Sequence, residues 1–401
     1  MALEAGQIYG TGSNSTIGSQ LQTHYYQKKA LIDLQKEKYF TQLADTTAMP
    51  KNMGKTIKRY HYLPLLDDNN LNDQGIDASG AVVANGNLYG SSKDIGTITG
   101  KLPQLSETGG RVNRVGFTRV ELTGTLEKYG FFEEYTQESL DFDSDEELEM
   151  HINREMLFGA QETTEDLLQI DLLNSAGVIR YPGAASSLAT LSGNTGSVTE
   201  VSYSDLAKLD IDLTNNRCPK QTTIITGSRM VDTKVIPSAR LLYMGSEMQP
   251  TIEKMVDYHG NPAFIPLAHY AAAGTEINGE IGAIGHFRIV VVPEMMHRNG
   301  TSTGSPLVGA AVTTNAGYRV TGTRYNAYPL LVIGSESFTT IGFQTSGKNV
   351  KFKIYHKKPG EAVADRNDPY GETGFMSIKF YYGFMPLRTE RLAIIWSVAQ
   401  L

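Results

Sequence analysis

The segment from Lys348 to Leu401 constrains this fold more than any other part of the chain. Asn349-Val-Lys-Phe-Lys-Ile-Tyr355 alternates apolar and basic residues at period two, the pattern of a half-buried strand. A loop dense in Gly, Pro, Asp and Asn follows from Lys357 to Gly371. Two further strand runs come after it, Gly374 to Pro386 and Arg391 to Val398, the second carrying Trp396, the single tryptophan. A terminus this apolar must dock into a core or a neighbour, because free in water it would leave that surface exposed.

With 401 residues the chain is long enough for two or three cores. Its 40 glycines against 15 prolines suit a β-rich fold with many tight turns. One cysteine, Cys218, excludes an internal disulfide and any all-cysteine metal site. A net charge of −7 argues against a dedicated nucleic-acid binder, though not against a protein that surrounds nucleic acid. No apolar run approaches the ~20 residues of a membrane-spanning helix, and no secretory signal opens the chain.

Residues 1–18 read as a mobile arm and 19–45 as a surface helix ended by Pro50 and Gly54. Lys55 to Leu63 and Val112 to Leu126 read as two strands joined by a long polar insertion, 67–110. Such a hairpin has little core of its own and needs a partner surface. Ser144 to Asn174 is the clearest helix, with Ser144 as N-cap, Glu147 completing a capping box, and a length of ~45 Å at 1.5 Å per residue. Its expected buried stripe is Leu148, Ile152, Met156, Gly159, Thr163, Leu167, Ile170 and Leu173. Residues 181–201 read as a linker. Beyond it, a helix over 203–216, a strand over 221–226, a helix over 228–239, a strand pair over 280–292, a flexible loop over 298–325 and a strand over 330–343 suggest one α/β unit.

Catalytic patterns are weak throughout. Gly342 to Lys348 approaches a phosphate-binding loop, but Asn349 stands where Ser or Thr must hold magnesium, and a strand follows where a helix is needed. Asp141, Asp143 and Asp145 have the opening spacing of a calcium loop, yet Glu146 and Ile152 occupy positions that require Gly and an acid. The eight histidines show no metal-ligand spacing. The best refuge for an enzyme is a buried group of His259, His269 and Glu280, and Cys218 reads as a packed thiol. No cofactor, metal site or catalytic residue is expected.

Charge is segregated. Lys28, Lys29, Lys55, Lys58 and Arg59 belong to a basic first sixty residues, while Glu138, Asp141, Asp143, Asp145 and Glu146 belong to an acidic stretch over 133–149. Most such runs are solvated faces. The sharper expectation is that these ten residues meet across contacts between copies of the chain, guiding orientation more than adding affinity.

The order of arm, hairpin, long helix, α/β unit and returning strands resembles the major capsid proteins of tailed bacteriophages, and among them those of podoviruses that carry a virion RNA polymerase. Gly282 to Glu294, Tyr328 to Glu336 and the run Asp368-Pro-Tyr-Gly-Glu-Thr-Gly-Phe-Met-Ser-Ile-Lys379 carry the resemblance. It implies an α+β fold shared with encapsulins and the herpesvirus capsid floor. Carried onto this chain, it implies an N-terminal arm over 1–50, an extended loop over 51–127, a peripheral domain from 128–200 and 344–401 with a spine helix over 144–174, and an axial domain over 201–343. The implied function is structural: self-assembly, through hexamers and pentamers, into an icosahedral virion shell around double-stranded DNA, made in the host bacterial cytoplasm. Implied partners are a portal protein, scaffolding and decoration proteins, and DNA held non-specifically, with no membrane. An encapsulin-like cellular compartment shares the fold and is the alternative.

Overall fold

The computed structural model describes residues 39–43, 45–49, 54–62, 119–142, 148–183, 185–191, 200–225, 233–270, 277, 279–300, 317–343, 352–360, 364 and 368–400. Residues 1–38 of the arm expected over 1–50, the insertion over 67–110 and the Ser144 cap lie outside them. A 3-10 turn, Thr41–Leu43, leads into β1 (Asp45–Met49), β2 (Thr56–Tyr62) and the long β3 (Arg119–Thr136). Helices α1 (Gln137–Phe142) and α2 (Leu148–Ser175) follow, then β4 (Val178–Arg180), α3 (Tyr203–Asn215), β5 (Gln221–Ile225) and β6 (Thr233–Gly245). Next come α4 (Gln249–Glu253), β7 (Ile265–Pro266), α5 (Leu267–Tyr270), β8 (Glu280–Ile284), β9 (Phe287–Val292), β10 (Val320–Thr321) and β11 (Arg324–Tyr325). The chain closes with β12 (Tyr328–Ile333), β13 (Phe338–Phe343), β14 (Phe352–Lys357), β15 (Thr373–Pro386) and β16 (Leu392–Ser397).

Two sheets result. The first has six strands in the order β1-β13-β15-β3-β2, with β14 also on β15; the second has eight, β4-β16-β12-β6-β9-β8-β7, with β5 on β6. Burial alternates along β15 from Thr373 to Tyr382: Met376, Ile378 and Phe380 are buried against α2, while Phe375, Ser377 and Lys379 face away. In contrast, β12 and β16 are buried at every residue. Leu331, Ile333, Leu392, Ile394 and Trp396 point into a core shared with α2 and the first sheet. Leu330, Val332, Ala393 and Ile395 point into a second core under α3 and α4. The apolar C-terminus thus forms a central strand, as its composition requires.

Several expectations change. The helix expected to reach residue 45 gives way to a 3-10 turn and then to β1, paired in parallel with β13; β-branched Thr46 and Thr47 favour the strand. The helix expected over 228–239 is, from Thr233, the strand β6. Val235 and Ile236 suit a strand, and Pro237 has no N–H to give a helix. The single strand expected over 330–343 is two strands in different sheets, separated by a turn in which Glu336 takes φ +56°. The linker begins as docked structure, with Leu188 and Leu191 buried. Within α2, Met156, Ala160, Thr164, Leu168 and Leu172 form the buried row, one step around from the expected stripe; Ile170 is 43 % exposed. Sheet membership also cuts across position 343: β13 pairs in the first sheet, and β4 and β16 in the second.

Candidate assembly surfaces

Three surface features stand out, and each follows from local sequence. The first is the hairpin arm. β2 and β3 pair antiparallel from Thr56↔Thr125 to Tyr62↔Arg119. Every residue on one face of this ladder is exposed, including Tyr60 at 42 % and Tyr62 at 58 %, while on the other face Ile57 and Leu122 pack against the root. The Arg119 guanidinium sits 4.3 Å from the Tyr60 ring centroid, and Lys58 pairs with Glu121. A small cluster of Met49, Leu126, Ile341, Met385 and Leu387 holds the root, and Gly124 lies there because a Cβ would strike Ile341 and Met385 at 2.8 Å. Beyond the root the arm presents Tyr60 and Tyr62 to solvent on one face, and Val120 and His61 on the opposite face are only half-buried.

The second feature is the outer face of the first sheet. Register places Lys353 opposite Lys379, and Lys379 opposite Gly130. The neighbouring rows are Tyr355, Ser377 and Phe132, then Lys357, Phe375 and Glu134; Tyr381 and Lys128 close the other side. Lys353 and Lys379 lie 4.5 and 4.8 Å from the Tyr355 ring centroid, and Lys357 5.9 Å from that of Phe375. Hydrogen bonds from Lys353 and Lys379 hold the Tyr355 phenol below its usual pKa. Phe132 is 62 % exposed, and a groove of about 570 Å³ runs beside it, lined by Lys128, Glu134, Phe375 and Lys379.

The third is the acidic turn after β3. Glu138 and Asp141 on α1 are exposed, with Gln137 donating to Asp141 at 2.7 Å. Of the ten residues expected at contacts, Lys28, Lys29, Asp143, Asp145 and Glu146 lie outside the described residues. Lys55 and Arg59 are exposed on the hairpin, whereas Lys58 is engaged by Glu121 within the same copy. Sequence reasoning missed the lysine face entirely. Its signal was present only in the basic alternation of β14, because Lys128 and Lys379 are distant in sequence.

Beneath these surfaces one carboxylate organises the start of the described chain. Glu165, 5 % exposed on α2, accepts backbone N–H bonds from Tyr39 at 3.0 Å, Phe40 at 2.6 Å and Thr41 at 3.2 Å, and the Thr41 hydroxyl. Phe40 is 1 % exposed and packs against Tyr243.

The residues kept in view for catalysis do not assemble. His259 and His269 are exposed, while Glu280 is buried and grips Arg288 through two bonds of 2.5 and 2.6 Å. Cys218 is buried, and desolvation raises its thiol pKa. Among the described residues no three His, Cys, Asp or Glu side chains converge on a metal position, and no helix is long and apolar enough to cross a membrane.

Comparison with known proteins agrees in sequence and in shape. The family profile described as phage capsid protein matches residues 119–397. The major capsid protein of Pseudomonas phage KPP21 is 63 % identical over 391 residues, covering 97 % of this chain and 96 % of the relative. Among solved structures, the capsid of Ralstonia phage GP4 superposes with TM-score 0.56 at 11 % identity, covering 99 % of both chains. The head structure of Helicobacter pylori bacteriophage KHP40 gives 0.53 at 9 % identity, over 94 % of this chain and 95 % of that one.

Proposed function

This chain belongs to the phage capsid protein family, and we propose that its copies close into an icosahedral head around packaged double-stranded DNA, held together by the hairpin arm and the outer face of the first sheet. It is a structural protein of the phage virion capsid and not an enzyme. Identity of 63 % to a phage major capsid protein sets the encapsulin alternative aside.

The observation that carries the copy-to-copy reading is the hairpin. A two-stranded ribbon is marginal alone, yet this one exposes Tyr60 and Tyr62 and stands on a root of only a few buried side chains. A neighbouring copy supplies the surface that those rings lack. In this reading the hairpin, whose tip is residues 67–110, and the arm over 1–50 overlie neighbours. The first sheet with α2 forms the peripheral domain, and the second sheet with α3 and α4 forms the axial domain at capsomer centres. The contacts are heterologous and close by rotation into hexamers and pentamers. Portal, scaffolding and decoration proteins and the DNA are the further partners. The net charge of −7 suits a wall that does not clamp its genome.

Replacing Tyr60 and Tyr62 together by Ser tests this. The unassembled chain should keep its thermal midpoint, since both rings are exposed, while closed particles disappear from size-exclusion chromatography and negative-stain images. Wild-type particle yield from the double variant would sink the hairpin reading.

A further inference from the structure

The lysine face poses a physical problem within a single copy. Like charges directly opposite on neighbouring strands are destabilising, and Lys353 and Lys379 occupy such positions, with Lys357 and Lys128 close by. Glu134 is the only acid among the described residues of that face, in a protein whose net charge is −7. Exposed Phe132 and Tyr355 are interleaved with the lysines. Phosphates alone would leave those rings without a function, whereas a protein segment mixing acids with apolar side chains would engage both.

This chain carries such a segment. From Gln137 to Glu149 it reads Gln-Glu-Ser-Leu-Asp-Phe-Asp-Ser-Asp-Glu-Glu-Leu-Glu, seven acids with Leu140, Phe142 and Leu148 among them. Its described part presents Glu138 and Asp141 to solvent. Within one copy the described start of the segment lies away from the centre of the face. It leaves the sheet at Thr136, opposite Thr373, while Lys379 lies opposite Gly130. Those six residues of strand span about 20 Å. In its own copy the far end of the segment is tied down instead, with Glu149 held by Lys358 at 2.7 Å.

We propose that the outer face around Lys353, Tyr355 and Lys379 is the docking site for the acidic turn, Gln137 to Glu149, of a second copy. The proposal rests on the shell-forming reading above and gives the expected acid–base pairing a different basic partner. The acids Glu138, Asp141, Asp143, Asp145 and Glu146 meet the lysine face rather than the basic first sixty residues. Docking converts a repulsive lysine ladder into ion pairs and covers Phe132 and Tyr355. It therefore favours the assembled state over the free subunit from both sides.

The test uses full-length chain under its normal assembly conditions. Lys379→Glu places an acid opposite Lys353, so the free subunit should melt about 1–3 °C higher, while the yield of closed shells falls by about tenfold or more. Mixing it with chain carrying Asp141→Lys and Glu138→Lys should restore shells. In parallel, Asp141→Cys with Lys379→Cys is assembled and mildly oxidised. The native Cys218 is buried, so background is low. Dimers and longer chains on a non-reducing gel are expected. A higher melting point with unchanged shell yield overturns the proposal, as do shells whose oxidised subunits run as monomers. Failure of the wild-type chain to form shells would instead count against the shell-forming reading itself.

Discussion

Removing the Glu165 carboxylate should release the start of the described chain without unfolding the body. The carboxylate accepts three backbone N–H bonds and one hydroxyl bond from Tyr39, Phe40 and Thr41. Hydrogen bonds to a charged acceptor contribute about 1.5–3 kcal/mol each in favourable cases. Summing all four would overshoot, because the donors can turn to water once released. Exposing Phe40, now 1 % exposed, opposes release equally in wild type and variant and cancels in the comparison. The local loss for Glu165→Ala is therefore about 2–4 kcal/mol, which is about 30- to 1000-fold in the opening equilibrium. Hydrogen–deuterium exchange read by mass spectrometry is the assay. Peptides spanning residues 39–43 should exchange faster by that factor, while peptides from the second half of α2 change little. Glu155→Ala, exposed on the same helix, is the control and should leave both unchanged. Equal protection of residues 39–43 in wild type and Glu165→Ala would refute the reasoning.

Other expectations follow from single contacts. Burial holds the Asp171 and Glu390 carboxyls above their usual pKa values, with the Tyr382 hydroxyl donating to Asp171 at 2.7 Å. The folded chain then binds these protons more tightly than the unfolded chain. Stability should fall as pH rises from the ordinary carboxylate range through the raised values, and thermal melts of Asp171→Asn and Glu390→Gln should show a flatter decline. Gly334→Ala would drive a methyl against the Cys218 sulfur and the Arg391 carbonyl, the latter at 2.8 Å, so denaturant titration should show a loss of about 1–3 kcal/mol. The buried Cys218 thiol should resist alkylation until the protein is unfolded, and rapid labelling of the native chain would contradict its placement. Arg288→Met leaves Glu280 buried without its cation and should cost about 3–5 kcal/mol. Combining Arg288→Met with Glu280→Gln removes the stranded charge as well, and should recover much of that loss in the same titration.

What the sequence made legible was what local pattern controls. Alternation announced β14, apolar strand runs announced β15 and β16, and a capping box with apolar residues every three or four positions announced α2. The hairpin was readable because two strand patterns flanked a polar insertion. What stayed hidden depends on contacts between distant segments. β1 is a strand because β13 offers it an edge, and its own five residues do not compel that choice. The buried row of α2 is set by where β15 and Phe40 lie, so Thr164 is covered while Ile170 is not. Glu165 reads as one surface acid among many until Tyr39 and Phe40 are laid across it. The lysine face is the clearest case, since three strands must align before Lys128, Lys353 and Lys379 become neighbours. The acidic stretch is visible in the sequence, and the basic surface proposed for it is not.

The most direct test of the account is a cryo-electron-microscopy reconstruction of the assembled head at a resolution that traces strands. The account predicts closed shells in which each hairpin, with Tyr60 and Tyr62, lies on a neighbouring copy, and in which density from a second copy covers Tyr355 and Lys379. Hairpins folded back on their own subunit, with the lysine face bare, would contradict it.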